Sequence, residues 1–275
     1  MKKMMIPLTL CLAAIFMAVS CKDPDDPTPP KPDIVDTTDT DLGYTKPTCD
    51  AFVHDIVDGG FEDCWYKQEM SNEIYVEYQS SVFYSLNSLR ALLDVESMAL
   101  TSSPITAYRD KTDPHSGKSC MKLVTGLLTD GNGQLLIPGA MAPLDENFVY
   151  QFLHPDEYPE GINVKRPYTD KPTAIKGFYK YLPVNGDEGS ICVELFNGSE
   201  KIARGYQRFG SDVSQWTSFN IPIDYTINGG SLSTAQPTHI SIIVSSSADY
   251  NFADLTNCQG QVGSTLWLDD ISFEF

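Results

Sequence analysis

The chain is short of positive charge, with 19 Lys and Arg against 37 Asp and Glu for a net charge of −18. A surface this acidic repels phosphate backbones and anionic headgroups, so it excludes nucleic acid and charge-driven membrane binding as functions. Neutral sugars, cations and basic protein partners remain. The four histidines, His54, His115, His154 and His239, are isolated, and no two cysteines have C-x-x-C spacing, so no transition-metal motif is present. Also missing are G-x-S-x-G, H-E-x-x-H, a Walker loop and a dinucleotide fingerprint. Asp130-Gly131-Asn132-Gly133 reads as a loop because no helix pattern follows it. Hydrolysis of glycosides needs only two placed carboxylates, which an acidic chain always holds, so that class is not excluded. There is no internal repeat and no long apolar run beyond the first twenty residues.

That one apolar stretch follows Lys2-Lys3 and ends in Ala18-Val19-Ser20-Cys21. A basic start, a short apolar run and small residues before the break describe an export signal, not a membrane span. The small-small-Cys ending resembles a bacterial lipobox, which makes Cys21 the expected lipidation site; an incidental cysteine in a secreted protein is the alternative. Lys22-Asp23-Pro24-Asp25-Asp26-Pro27 resembles the acidic tag that directs lipoproteins of Bacteroidetes to the cell surface. The expected location is the outer membrane, surface-exposed, with membrane contact only through the lipid. From Lys22 to Asp41 there are five prolines and seven aspartates, a composition that cannot build a core and stays extended. The expected organisation is signal 1–20, tether 21–45 and one domain over 46–275. Removing the signal leaves 17 basic against 37 acidic residues, or −20.

Within the domain, segments 176–181, 190–196, 201–209, 216–223, 239–245 and 265–275 are rich in β-branched and aromatic residues. Asn197-Gly198 predicts a hairpin, because a type I′ turn needs positive φ at both central residues; Asn185-Gly186 and Asn228-Gly229 punctuate similarly. Ile191, Val193 and Leu195 share a face, as do Ile240, Ile242 and Val244. On the opposite faces Ser241 and Ser245 read as solvent-facing, whereas Phe196 and Ile243 suggest cover by a loop or second layer. A short helix is expected over Ser85–Leu93 from leucines at helical spacing. The fold class is all-β, a β-sandwich or jelly roll. Cys120 and Cys192 read as buried thiols, and Cys49 with Cys64 is the first pair to check for a disulfide.

Three motifs then acquire meaning together: Asp58-Gly59-Gly60-Phe61-Glu62-Asp63-Cys64-Trp65, the Asp113–Leu123 stretch around Ser116-Gly117, and Gly263–Phe273 with Trp267 and Asp269-Asp270. They resemble the framework of jelly-roll, galactose-binding-like carbohydrate-binding modules. With Arg166-Pro167, Lys176–Tyr181, Pro183, Gly186-Asp187 and Ser245-Ser246-Ser247, the chain from Cys49 to Phe275 resembles the "putative carbohydrate metabolism domain" family of Bacteroidetes lipoproteins. Cys64 and the insertion Gln68–Ser103 depart from that pattern. The resemblance implies a sugar-binding fold more than an activity.

If first and last strands lie side by side, Glu62 meets Asp269-Asp270 near the Ser116-Gly117 turn. A structural Ca²⁺ held by Glu62 and one of the two aspartates, with turn oxygens from Ser116 and Gly117, is one expectation, and similar modules carry such an ion. The alternative is that Glu62 caps amides and the aspartates are surface charges. Strict alternation puts Asp269 on the face of Trp267, Ile271 and Phe273. For glycan contact the candidates are Tyr158, Tyr168 and Tyr250 in loop sequence, with Arg166 as a clamp on a hydroxyl or carboxylate or as half of a structural salt bridge; Trp65 and Trp267 read as core. The expected function is non-catalytic capture of a polysaccharide or oligosaccharide, the rivals being a glycoside-processing enzyme and a subunit of a surface protein complex.

Overall fold

The computed structural model describes residues 39–49, 54–70, 73–88, 104–130, 133–144, 148, 151, 156–157, 163–227, 229–248 and 259–275. Cys21, Tyr158, Tyr250, His154 and Cys258 lie outside them.

Fifteen strands are formed among these residues: β1 (Trp65–Met70), β2 (Glu73–Tyr78), β3 (Tyr84–Ser85), β4 (Ala107–Asp110), β5 (Cys120–Val124), β6 (Gly126–Asp130), β7 (Gly133–Ile137), β8 (Ala140–Ala142), β9 (Arg166–Pro167), β10 (Ala174–Leu182), β11 (Gly189–Asn197), β12 (Glu200–Phe209), β13 (Val213–Pro222), β14 (His239–Ser245) and β15 (Thr265–Glu274). A five-stranded antiparallel sheet runs β13-β10-β15-β5-β4. Facing it is a sheet ordered β12-β11-β14-β8-β3, with β9 paired to β14. The expected sandwich is the fold.

Alternation explains the core between the sheets. Ile191, Val193 and Leu195 of β11 and Ile240, Ile242 and Val244 of β14 are wholly buried. They pack with Ile175, Tyr181, Leu266, Leu268 and Phe219 of the opposing sheet. The expected hairpin joins β11 to β12, but Asn197 ends β11 opposite Glu200, so the two loop residues are Gly198, at φ 60°, and Ser199, and the turn is not the expected Asn-Gly type I′. Asn185 and Gly186, at φ 49° and 79°, form the positive-φ turn that carries the chain from one sheet to the other.

The back of the second sheet is covered. The β6–β7 hairpin contributes Leu128, Leu135 and Ile137 to a second apolar cluster with Tyr84, Leu144 and Phe148, and Ile243 packs against it. Phe196 is buried, with the Lys165 ammonium 4.2 Å from its ring centroid. The cover corrects the reading of Ser241 and Ser245, which are buried instead of solvent-facing. Ser245 satisfies its hydroxyl by donating to the Ser247 carbonyl at 2.6 Å.

Two further expectations change. Ser85 belongs to β3 and Leu86–Ser88 form a 3₁₀ turn, so the leucine pattern does not open an α-helix there; Leu89, Leu92 and Leu93 lie outside the described residues. In the segment composed like a tether, Asp39 is buried and paired with Arg109 and Lys111, each at 3.1 Å. Leu42 packs on the main core and the Lys67 amide donates to the Gly43 carbonyl at 2.8 Å. Residues 39–43 are thus held by the domain. A Cys49–Cys64 disulfide ties the same segment to the start of β1, while Cys120 is a buried free thiol and Cys192 a half-buried one.

Candidate functional site

Two neighbouring features occupy the outer side of the five-stranded sheet. The first is a knot of carboxylates at the β4–β5 loop. Asp58, at φ 54°, accepts the amides of Glu62 at 2.8 Å and Cys64 at 2.9 Å, folding the opening motif into a tight turn. The Gly59 carbonyl accepts the Ile271 amide at 2.9 Å, so this turn lies against β15 as expected. Glu62 Oε1 accepts the amides of Lys118 at 2.7 Å and Ser119 at 3.3 Å. Asp269, fully buried, receives the amides of His115 at 2.8 Å and Ser116 at 3.2 Å on Oδ2 and that of Asp270 at 2.9 Å on Oδ1. Burial pushes its carboxyl up to about 6 even against these amides. Asp270 accepts the Ser116 hydroxyl at 2.8 Å and lies 2.7 Å from His115 Nδ1.

Glu62, Ser116, Gly117, Asp269 and Asp270 therefore converge as the motifs suggested. What they build is a hydrogen-bonded lock. Amide hydrogens aimed at the carboxylates put positive dipole ends where a cation would sit. The nearby Phe61 carbonyl is also taken, by Trp65 Nε1 and the Ser119 hydroxyl, each at 2.8 Å. Among the described residues no three His, Cys, Asp or Glu side chains are grouped to hold an ion. This donor set does not fit calcium's demand for six to eight free oxygens, roughly.

Strict alternation fails in β15 for a local reason. Phe178 pairs with Asp269 and Lys176 with Ser272, so β15 carries one extra residue there, and Asp270 sits at φ 51°. This bulge rotates the strand. Trp267 and Asp269 face outward, whereas Ile271 and Phe273 turn into the core with Leu266 and Leu268.

The second feature is a row of rings and ammonium groups across the sheet. Register places Lys180 of β10 opposite Trp267 of β15, Trp267 opposite Lys122 of β5, and Lys122 opposite Tyr108 of β4. Trp216 of β13 completes the row. Lys180 Nζ is 4.5 Å from the Trp216 centroid and 5.4 Å from that of Trp267. Lys122 Nζ is 5.6 Å from Trp267 and 5.7 Å from Tyr108. Five strands at about 4.8 Å spacing make the row about 19 Å long. Its three rings are half-buried. Both indole N–H groups are used internally: Trp216 donates to the Asp113 carbonyl at 3.0 Å and Trp267 to Asp110 Oδ2 at 2.9 Å. Lys180 pairs with Asp113 at 2.9 Å. His115 stacks on Phe178 at 3.5 Å and meets the edge of Trp216 at 5.9 Å, joining the lock to the row.

The expected contact residues fare differently. Tyr168 is 3% exposed, donates to the His54 carbonyl at 2.8 Å and leans on Phe273, so its ring has no face for a sugar. Burial also raises its phenol above the ordinary range. Arg166 donates to the Leu144 carbonyl and lies over the Tyr84 ring, a structural use made by a carbonyl and a ring and not, among the described residues, by the expected ion pair. Trp65 is core, as read, but Trp267 is not. The missed signal was the isolated Lys122 between Met121 and Leu123 and Lys180 between Tyr179 and Tyr181, which mark outward faces. Only cross-strand register brings them to Trp267.

No protein-family model and no curated protein matches the chain. A solved structure described as a "putative glycoside hydrolase" from Bacteroides vulgatus superposes with TM-score 0.56 at 16% identity, covering 82% of this chain and 99% of that one. A second with that description, from Bacteroides thetaiotaomicron, gives TM-score 0.49 at 16% identity, covering 77% and 66%. A family 16 carbohydrate-binding module gives 0.35 at 10% identity, covering 62% and 86%. At 16% identity the first of these likenesses is one of fold alone.

Proposed function

We propose that the protein is a non-catalytic glycan-binding lipoprotein, displayed at the cell surface through Cys21, with its binding face on the outside of the five-stranded sheet. The observation that carries this reading is the row Trp216–Lys180–Trp267–Lys122–Tyr108 beside Asp110 and Asp113. Aromatic carbon suits the CH faces of a pyranose, and the exposed Asp113 carboxylate, to which the buried Lys180 is paired, suits its hydroxyls. Each lysine has an acidic neighbour, Asp110 for Lys122 and Asp113 for Lys180, so the row itself is charge-balanced. With −18 on the chain, that balance favours an uncharged polysaccharide or oligosaccharide over an acidic one.

The test is a glycan-array screen of the full-length protein beside Trp216→Ala and Trp267→Ala. Selective binding that falls about tenfold or more in each variant, the worth of one stacked ring, supports the reading. Binding to no glycan overturns it, and reducing-sugar release that survives in both Trp variants overturns the non-catalytic part.

A further inference from the structure

The two indoles of the row are held in different ways. Trp267 lies in regular register, with Leu266, Trp267 and Leu268 paired on both β10 and β5. Trp216 does not. Tyr179 pairs with Thr217 and Tyr181 with Val213, so β13 spends four residues where β10 spends two, and Trp216 falls inside that irregularity. Ladder hydrogen bonds therefore do not set its position, and side-chain contacts must. Three are present: its N–H on the Asp113 carbonyl, the His115 ring at its edge, and the Lys180 ammonium over its face.

Lys180 is the one of these rooted in a regular ladder, that of β10 with β15, although the irregularity between β10 and β13 spans it too. It is 8% exposed, lies in register with Trp267, and reaches both the carboxylate and the carbonyl of Asp113, at 2.9 and 3.3 Å. The same ammonium thus touches the face of Trp216 and fixes the loop residue that accepts the Trp216 N–H. A cation held this far from water attracts an indole face more strongly than an exposed one does. We propose that Lys180 is the positioning residue of the binding face: it transmits the placement of Trp267 to Trp216 and holds the second indole where a glycan lying across the strands meets both. The last clause rests on the proposed function; the positioning of Trp216 does not.

The experiment is acrylamide quenching of tryptophan fluorescence in the full-length protein, with Lys180→Met, Lys180→Arg and Trp216→Phe, followed by the same glycan array. Trp65 is buried, so quenching reports Trp216 and Trp267. Lys180→Met is expected to raise quenching, and the rise is expected to vanish when Trp216→Phe is added, because Trp267 stays in its ladder. Lys180→Arg, which keeps the cation, is expected to restore the wild-type value. Glycan affinity is expected to fall about tenfold in Lys180→Met, corresponding to ~1.4 kcal/mol. Unchanged quenching in Lys180→Met, or a rise that persists with Trp216→Phe, overturns the proposal. If wild type binds no glycan while Lys180→Met still loosens Trp216, the glycan reading fails and the positioning role stands.

Discussion

Gly59 and Ile271 touch backbone to backbone: a β-carbon on Gly59 would lie 1.9 Å from the Ile271 carbonyl oxygen. No side chain can move out of the way of that overlap, because both partners are main chain and Ile271 is anchored just past the β15 bulge. Gly59→Ala is therefore expected to cost about 3 kcal/mol or more, at the upper end of overpacking penalties, measured as a lowered urea midpoint with unchanged slope. A loss below about 0.5 kcal/mol would place the turn elsewhere.

Glu62 has a different kind of dependence. Its carboxylate lies over Gly117, at φ 63°, and takes two amides of that loop. Glu62→Ala leaves those donors without their acceptor and is expected to cost about 2 kcal/mol, with Glu62→Gln costing less because one oxygen remains. Chemical denaturation of the two variants side by side checks the order.

Because the lock is built from amide donors, EDTA is expected to leave the thermal midpoint unchanged. A fall of several degrees, reversed by added calcium, would reinstate an ion at Glu62, Asp269 or Asp270.

Two aspartates pull the pH profile in opposite directions. Asp269 has its carboxyl raised from 3.8 to about 6, chiefly by burial, so its contribution is full below about pH 3.8 and is lost as pH rises through about 6. Asp39 is pushed up by burial, but the hydrogen bonds and charges of Lys111 and Arg109 outweigh that and hold it below 3.8. Its contribution is present above that value and lost as pH falls through the lowered one. The stability difference between wild type and Asp269→Asn is expected to shrink from pH 4 to pH 6, and that between wild type and Asp39→Asn to shrink at the acid end. Unfolding free energies across pH 3 to 8 decide both.

Reduction of Cys49–Cys64, whose cysteines are 15 apart, is expected to cost about 3 kcal/mol by freeing the unfolded chain. A thermal melt with and without dithiothreitol measures it, and a shift near zero would mean that Asp39 and Leu42 anchor the segment unaided.

The strands from β10 to β15, the inward faces of β11 and β14, a hairpin between β11 and β12 and the meeting of Glu62 with Asp269-Asp270 were legible in the amino-acid order. Each depends on side-chain period, turn φ or paired end motifs, which are local or nearly so. The face of Ile271 and Phe273 was not, because a single extra residue at Asp270 reverses a strand without altering its composition. Tyr168 read as a loop aromatic, yet burial depends on what Phe273 and His54 bring from distant parts of the chain. The row from Trp216 to Tyr108 was least legible of all: its members come from five strands spread over more than a hundred residues. The sequence alone determined an acidic β-sandwich and where its backbone turns. Which rings stand outside it was decided by cross-strand register and by one bulge, since both are properties of paired strands and neither strand carries them alone.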